Sequence, residues 1–192
     1  MDQHLIETER LLLRRLNSED TKDILTIYGD EETVRFKPMF PLKNEKEAAA
    51  YLSALMEDYE EAYSCLYGIC LKNVPDTLIG CIRVETKAPY DFGYTVLRDL
   101  WNQGIATEAG RAVLDRIREE GVLPYVTATH DRDNPASGKV MEHLGMRYGY
   151  SYFEQWQPKD IPVIFRMYQL NFTAGKTWLY DGYRKTQVRD DF

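Results

Sequence analysis

The chain has 192 residues, 44% apolar and 29% charged, enough for one domain with a full core and little cause to divide it in two. Its net charge of −7, without a long basic stripe, argues against nucleic acid as the main partner and favours cationic partners, including amines. No apolar run approaches the roughly 20 residues that span a bilayer, and the opening "MDQHLIETERLLLRRL" lacks the small-residue cleavage site of a signal peptide.

In chain order, "RLLLRRL" (10–16) reads as a strand. "SEDTKDILTIYGD" follows as a helix with Ser18 as N-cap and half a capping box, its Ile24, Leu25 and Tyr28 at helical spacing. Two prolines break "FKPMFPL". "NEKEAAAYLSALMEDYEEA" is then a strong helix capped by Asn44, with Ala48, Tyr51, Leu52, Leu55 and Met56 on one face. The period next changes to that of strands. "SCLYGICLK" and "TLIGCIRVETK", separated by "NVPD", form a hairpin, and "YDFGYTVL" (90–97) adds a third strand. A helix over 107–120, the strand "YVTATH" and the short helix "NPASGKVMEHLG" follow, the last capped by Asn134, opened by Pro135 and closed by Gly145. "YGYSYFEQWQ" and "VIFRMYQLNF" are two final strands. The order β-α-α-β-β-β-α-β-α-β-β, with antiparallel meanders and one strand-helix-strand crossover, predicts an α/β domain with a mixed sheet.

Cys65, Cys70 and Cys81 are odd in number and lack CxxC spacing. Cys65 and Cys70 would point to opposite faces of one strand. Reduced thiols and a cytoplasmic location are therefore expected, and the scattered histidines at 4, 130 and 143 predict no metal site.

The turn "WNQGIAT" (101–107) joins a strand to a helix. A helix that starts this way leaves its first N–H groups unpaired, at the positive end of the helix dipole, where they suit an anion such as a pyrophosphate. Gly104 permits unusual dihedrals and Ala106 keeps bulk away from the phosphate. Neither GxxxxGK[ST] nor GxGxxG occurs, so nucleotide-triphosphate and dinucleotide loops are excluded.

"DFGYTVLRDLWNQGIATEA" (91–109), followed by "DNPASGKVMEHLGM" (133–146), closely resembles the GNAT superfamily of acyl-CoA N-acetyltransferases. The nearest resemblance is to the branch that includes ribosomal-protein alanine N-acetyltransferases, whose opening strand and helix "ETERLLLRRLNSED" resembles. The likeness covers about residues 5–172. It implies a GNAT domain over 1–172 and a C-terminal extension over 173–192. The family's Gln/Arg-x-x-Gly-x-Gly/Ala pattern falls on Trp101 to Ala106, with Trp101 in place of the Gln or Arg; backbone donors make that exchange tolerable. The resemblance implies that free backbone groups at Val96 and Leu97 pair with the pantetheine arm of acetyl-CoA. It implies that the amides of Gln103, Gly104, Ile105, Ala106 and Thr107 hold the pyrophosphate. Asn134 would bond near the pantetheine, and Ser137 would sit close to the sulfur.

Acetyl transfer to an amine needs a neutral nucleophile, a donor for the oxyanion and a proton for the thiolate. Ser137, a weak acid, serves by position or by an oxyanion contact. For the base, Glu85 stands first, with Glu154 and Asp91 as alternatives, or water alone. Tyr94 faces either the core or the acetyl group. Arg111 and Lys139 are candidates for the 3′-phosphate. The acidic stretch "MEDYEE" (56–61) either attracts a cationic amine or is a solvated helix face. The apolar residues Trp178, Leu179, Tyr180 and Tyr183 of the extension close over the domain or dock on another subunit, in a monomer or homodimer, or the tail is partly frayed. The expected activity is N-acetylation of a primary amine (a protein N-terminus or a small amine) by direct attack in a ternary complex. The alternative is an acetyl-CoA-binding sensor or interaction module without transfer.

Overall fold

A computed structural model describes residues 5–57, 59, 65–173, 175 and 178–189. Strands β1 (Ile6–Glu7), β2 (Leu11–Arg14), β3 (Cys65–Leu71), β4 (Val74–Val84) and β5 (Phe92–Val96) form one antiparallel sheet in that order. Alternation along these strands gives the sheet two apolar faces. On one, Leu11, Leu13, Ile69 and Ile82 pack with Val113, Leu114 and Ile117 of α4 (Ile105–Glu120). On the other, Leu66, Cys70, Leu78 and Cys81 pack with Ile24 and Ile27 of α1 (Thr21–Tyr28) and Leu52 and Leu55 of α3 (Glu45–Glu57). Cys65 and Cys70 lie in the two opposite cores, and all three cysteines are buried, with no disulfide among the described residues.

The second sheet has the order β6 (Tyr125–Asp131), β8 (Ile161–Asn171), β7 (Arg147–Trp156), β9 (Gln187–Val188), again antiparallel. Helix α5 (Pro135–His143) connects β6 to β7. Among the described residues the two sheets meet at a single parallel bridge, Asp91 to Thr127, where the Thr127 amide donates to the Tyr90 carbonyl at 3.3 Å. Beyond it β5 and β6 share no ladder, so the mixed character of the fold resides at this one junction. The element order expected from the sequence holds, with short strands β1 and β9, the short helix α2 (Glu31–Val34) and three 3-10 turns added among the described residues.

Two local expectations are corrected. Asn17 rather than Ser18 caps the first helical turn; its side chain accepts from the Glu19 amide, and the Asp20 carboxylate accepts from the Asn17 amide at 2.8 Å, which completes the capping box. Helix α4 begins at Ile105, two residues before the expected start, because Gly104 supplies the left-handed N-cap (φ 78°).

The described part of the extension folds back on the second sheet. Tyr183 stacks on Tyr152 with ring centroids 4.5 Å apart, the Tyr150 hydroxyl donates to the Tyr180 carbonyl at 2.8 Å, and β9 pairs with β7. The acidic stretch 56–61 lies partly outside the described residues, with Asp58, Glu60 and Glu61 beyond them.

Gly138 in α5 faces the buried His130 ring, where an added Cβ would lie 2.7 Å from Nε2. The backbone of a packed helix cannot yield that space, so Gly138→Ala is expected to cost about 1–3 kcal/mol and lower Tm by about 2–12 °C. Thermal unfolding against the parent checks this; an unchanged Tm would mean that the His130 ring moves freely aside.

Candidate active site

The loop between β5 and α4 carries two left-handed residues, Asn102 (φ 60°) and Gly104 (φ 78°), on either side of Gln103. Asn tolerates this conformation better than most residues and Gly adopts it without penalty. The first helical bond of α4 runs from the Glu108 amide to the Gly104 carbonyl at 2.9 Å, and no side chain caps the helix. The amides from Gly104 to Thr107 therefore have no protein acceptor among the described residues, and they sit at the positive end of a 16-residue helix.

Arg10 and Thr8, at the start of β2, brace this loop from the far end of the chain. The Arg10 guanidinium donates to the Gln103 carbonyl at 2.9 Å and pairs with Glu108 at 2.6 Å, and the Thr8 hydroxyl donates to the same carboxylate. Burial alone would raise the Glu108 pKa, but the bonds from Thr8 and Arg10 hold it below the usual carboxylate range. A fixed acidic side chain in the first turn suits the helix dipole. Arg10 was not legible as a site residue in the sequence, because its partners lie some 90 to 100 positions away.

From this loop the gap between β5 and β6 runs back to the Asp91–Thr127 junction. The Leu97 amide bonds Ile79 at 2.7 Å and the Glu85 amide bonds the Asp91 carbonyl at 2.9 Å. Odd-numbered residues of β5 thus turn their backbone groups to β4, and Phe92, Tyr94 and Val96 turn theirs to the gap. Some of these groups are already engaged. The Trp101 indole donates to the Val96 carbonyl at 2.7 Å, Lys37 Nζ donates to the Tyr94 carbonyl at 3.2 Å, and the Leu97 carbonyl accepts from Leu100 at 2.9 Å. The expectation of free groups at both Val96 and Leu97 therefore narrows to the amide of Val96. Trp101 acquires a reason for its place in the loop: its indole staples the end of β5.

Across the gap, Asn134 caps α5 and sits beside Ser137. The Asn134 amide side chain donates to Ser137 Oγ at 3.0 Å, and the Tyr94 hydroxyl donates to the same oxygen at 3.4 Å. A serine hydroxyl has two acceptor positions and one proton. Both positions are filled, and the proton has no acceptor among the described residues, so Ser137 is left as a donor. Burial raises the Tyr94 pKa, which keeps the phenol protonated. Tyr94 thus faces Ser137 rather than vanishing into the core.

The opposite face of the first sheet presents Cys81 and Arg83 of β4, Glu85 just beyond its end and Asp91 at the entry to β5. Burial pushes the Asp91 carboxyl up to about 7, the nearby Glu85 charge adds to the rise, and a bond from the Thr127 hydroxyl at 3.3 Å opposes it. Glu85 is 41% exposed and ion-paired with Arg83. Asp91 also lies close enough to Tyr152 and Tyr183 to oppose ionisation of their phenols, so the folded-back extension walls this side of the junction. Glu154 is exposed on β7. Arg111 donates to the His143 carbonyl at 3.0 Å, a tie between α4 and α5. Lys139 is exposed on α5. No cluster of metal-binding side chains occurs among the described residues.

The profile of the Acetyltransferase (GNAT) domain matches residues 10–147. "Uncharacterized N-acetyltransferase YoaA" of Bacillus subtilis (strain 168) is 23% identical over 147 residues, 74% of this chain and 82% of that protein. Among solved structures, a GNAT-family acetyltransferase from Bacillus anthracis superposes with a TM-score of 0.75 at 21% identity, over 88% of this chain and 98% of that one. RimL, described as a ribosomal L7/L12 alpha-N-protein acetyltransferase in complex with coenzyme A, gives 0.74 at 16% identity, with the same coverage. The chain belongs to the GNAT acetyltransferase family and is an N-acetyltransferase.

Proposed function

We propose that the enzyme acetylates a primary amine, a protein N-terminus or a small amine, with acetyl-CoA as donor in a ternary complex. The observation that carries this reading is the row of unpartnered amides at Gly104–Thr107, set at one end of a gap whose other end holds the enclosed carboxyl of Asp91. The amides of Gln103 to Thr107 hold the diphosphate, and the pantetheine arm lies in the gap beside Val96, Leu97 and Asn134. The bound coenzyme of RimL supports the same donor for this family member. The 1–172 segment serves as the transferase domain and 173–192 as an extension whose described residues border the acceptor side. The three buried thiols fit a reducing, cytoplasmic setting, and among the described residues no helix is long and apolar enough to cross a membrane.

The residues divide the chemistry between the two sides of the gap. The amine approaches from the face of Asp91 and attacks the thioester carbonyl carbon. Its proton passes to Asp91, which is ionised above about pH 7 and basic enough to accept it. Ser137, with both acceptor positions filled, directs its proton to the developing oxyanion or to the leaving sulfur. Glu85, first by sequence, ranks behind Asp91 because its charge is already paired with Arg83 and exposed to water.

The test is release of free CoA thiol from acetyl-CoA against a panel of polyamines, small amines and short peptides with free N-termini. Turnover with at least one acceptor supports the reading, and no release above background hydrolysis across the panel contradicts it. Ser137→Ala is expected to lower kcat by about 100-fold, the low end for an oxyanion donor, with the KM for acetyl-CoA little changed. Steady-state kinetics checks this, and an unaltered kcat would remove Ser137 from the mechanism.

A further inference from the structure

Lys37 has no role in the chemistry above, yet its amine sits at the gap. Its position is fixed from several sides. The Lys37 amide bonds the Val34 carbonyl at 3.0 Å, and Lys159, from the β7–β8 hairpin, clamps the Val34 and Arg35 carbonyls at 2.7 and 2.9 Å. The residue as a whole is partly buried, with its amine end enclosed by protein. Among the described residues Nζ meets a single acceptor, the carbonyl of Tyr94, one of the β5 groups turned to the gap. No carboxylate pairs with it among the described residues.

This is a poor setting for a structural ammonium. A buried cation held by one neutral acceptor lacks the compensation that usually stabilises it, and the neutral amine is favoured instead. The titratable and charged groups around it are Cys81 and Arg83 of β4, with Tyr28 of α1 and Tyr51 of α3 beyond Cys81. Burial is the main cause that brings the Lys37 pKa down to about 8, and the Arg83 charge acts in the same direction. Burial holds the Cys81 thiol itself protonated, up to about 12, so it provides no counter-charge near neutrality. Lys37 therefore presents a partly neutral amine, from the acceptor face, at the edge of β5 along which the thioester must lie.

We propose that Lys37 is an internal acyl acceptor: without an amine substrate, the enzyme transfers one acetyl group from acetyl-CoA to its own Lys37 Nζ. This rests on the donor site proposed above. The Nζ lone pair attacks the thioester carbonyl carbon, an N–C bond forms, and the C–S bond breaks with its electron pair going to sulfur. The proton lost by nitrogen ends on the released thiol, so the products are N-acetyl-lysine and free CoA.

The experiment incubates the purified full chain with acetyl-CoA and no acceptor between pH 6.5 and 9, followed by intact mass and peptide mapping. One acetyl group is expected, mapped to Lys37, at a rate that climbs about tenfold per pH unit and levels off above about pH 8. At subsaturating acetyl-CoA the Gly104→Asp chain should be modified more slowly, by the factor through which it loses coenzyme affinity. Lys37→Arg should carry no acetyl at position 37 and should leave no other site modified at a comparable rate. An unmodified Lys37 in a chain that binds acetyl-CoA and acetylates an added amine would overturn this proposal and leave the function standing. Acetylation spread over exposed lysines, equal in Gly104→Asp, would overturn it as well. A chain that binds no acetyl-CoA in calorimetry would overturn both.

Discussion

Replacing Gly104 with Asp is expected to raise the dissociation constant for CoA by about 10²- to 10⁴-fold, the result of several kcal/mol of like-charge repulsion against a diphosphate. Two effects add. Gly104 sits at φ 78°, where a non-glycine residue costs about 1–2 kcal/mol, and the loop that aims the amides depends on that dihedral. The new carboxylate also stands among donors arranged for an anion and partly satisfies them itself. The fold should survive, because an added Cβ meets only the Arg10 guanidinium, at an ordinary 3.5 Å. Gly104→Ala separates the two effects: it keeps the strain, omits the charge and should lose about tenfold in affinity. Calorimetric titration with CoA measures both. Equal affinity in Gly104→Asp and the parent chain would place the diphosphate elsewhere.

Asp91→Asn is expected to lower kcat/KM by about 10²- to 10⁴-fold, the usual worth of a positioned base. The parent enzyme should gain activity as pH rises through about 7 and reach a plateau above it, since Asp91 accepts a proton only when ionised. The variant should lose that inflection. Stability should move the other way. The folded-state pKa of Asp91 is raised from the ordinary 3.8, so its neutral form fits the fold and its charged form does not. Its contribution is fully present below about pH 4 and is lost as pH rises through about 7. Asp91→Asn should therefore unfold at a higher temperature than the parent at pH 8 and at nearly the same temperature at pH 4. A merely structural aspartate would not produce this pairing of lower activity with higher stability. Glu85→Gln, at an exposed and ion-paired site, should change kcat/KM by less than about tenfold; a loss at Glu85 and none at Asp91 would exchange their roles.

The parts legible in the sequence are those written in contiguous residues. Helix α3 announces itself by its apolar face and by the Asn44 cap, whose side chain accepts from the Glu47 amide at 3.0 Å. Helix α5 does so by Asn134, Pro135 and Gly145. The unpaired amides at the start of α4 were legible for the same reason, because they lie at consecutive positions after Gly104; they form the proposed phosphate cradle. Short elements were not. Helix α2 has four residues, too few for a periodic signal, and β9 has two, which are strand only because β7 lies beside them.

The proposed acceptor half is assembled across the chain, and that hid it. Lys37 comes from the segment after α2, Asp91 from the entry to β5, Tyr183 from the extension and Lys159 from a hairpin that clamps the segment after α2. Alternation within β5 allowed two directions for Tyr94, and the position of Ser137, supplied by α5, distinguishes them. Likewise, no period reveals that β5 and β6 pair at one residue and then part, although that separation opens the gap.

A crystal structure with bound coenzyme A tests the central claim most directly. The account predicts diphosphate oxygens within about 3 Å of backbone amides between Gln103 and Thr107, with the pantetheine arm passing Val96 toward Ser137. A diphosphate held by side-chain cations away from this loop, with those amides turned to protein carbonyls, would contradict it.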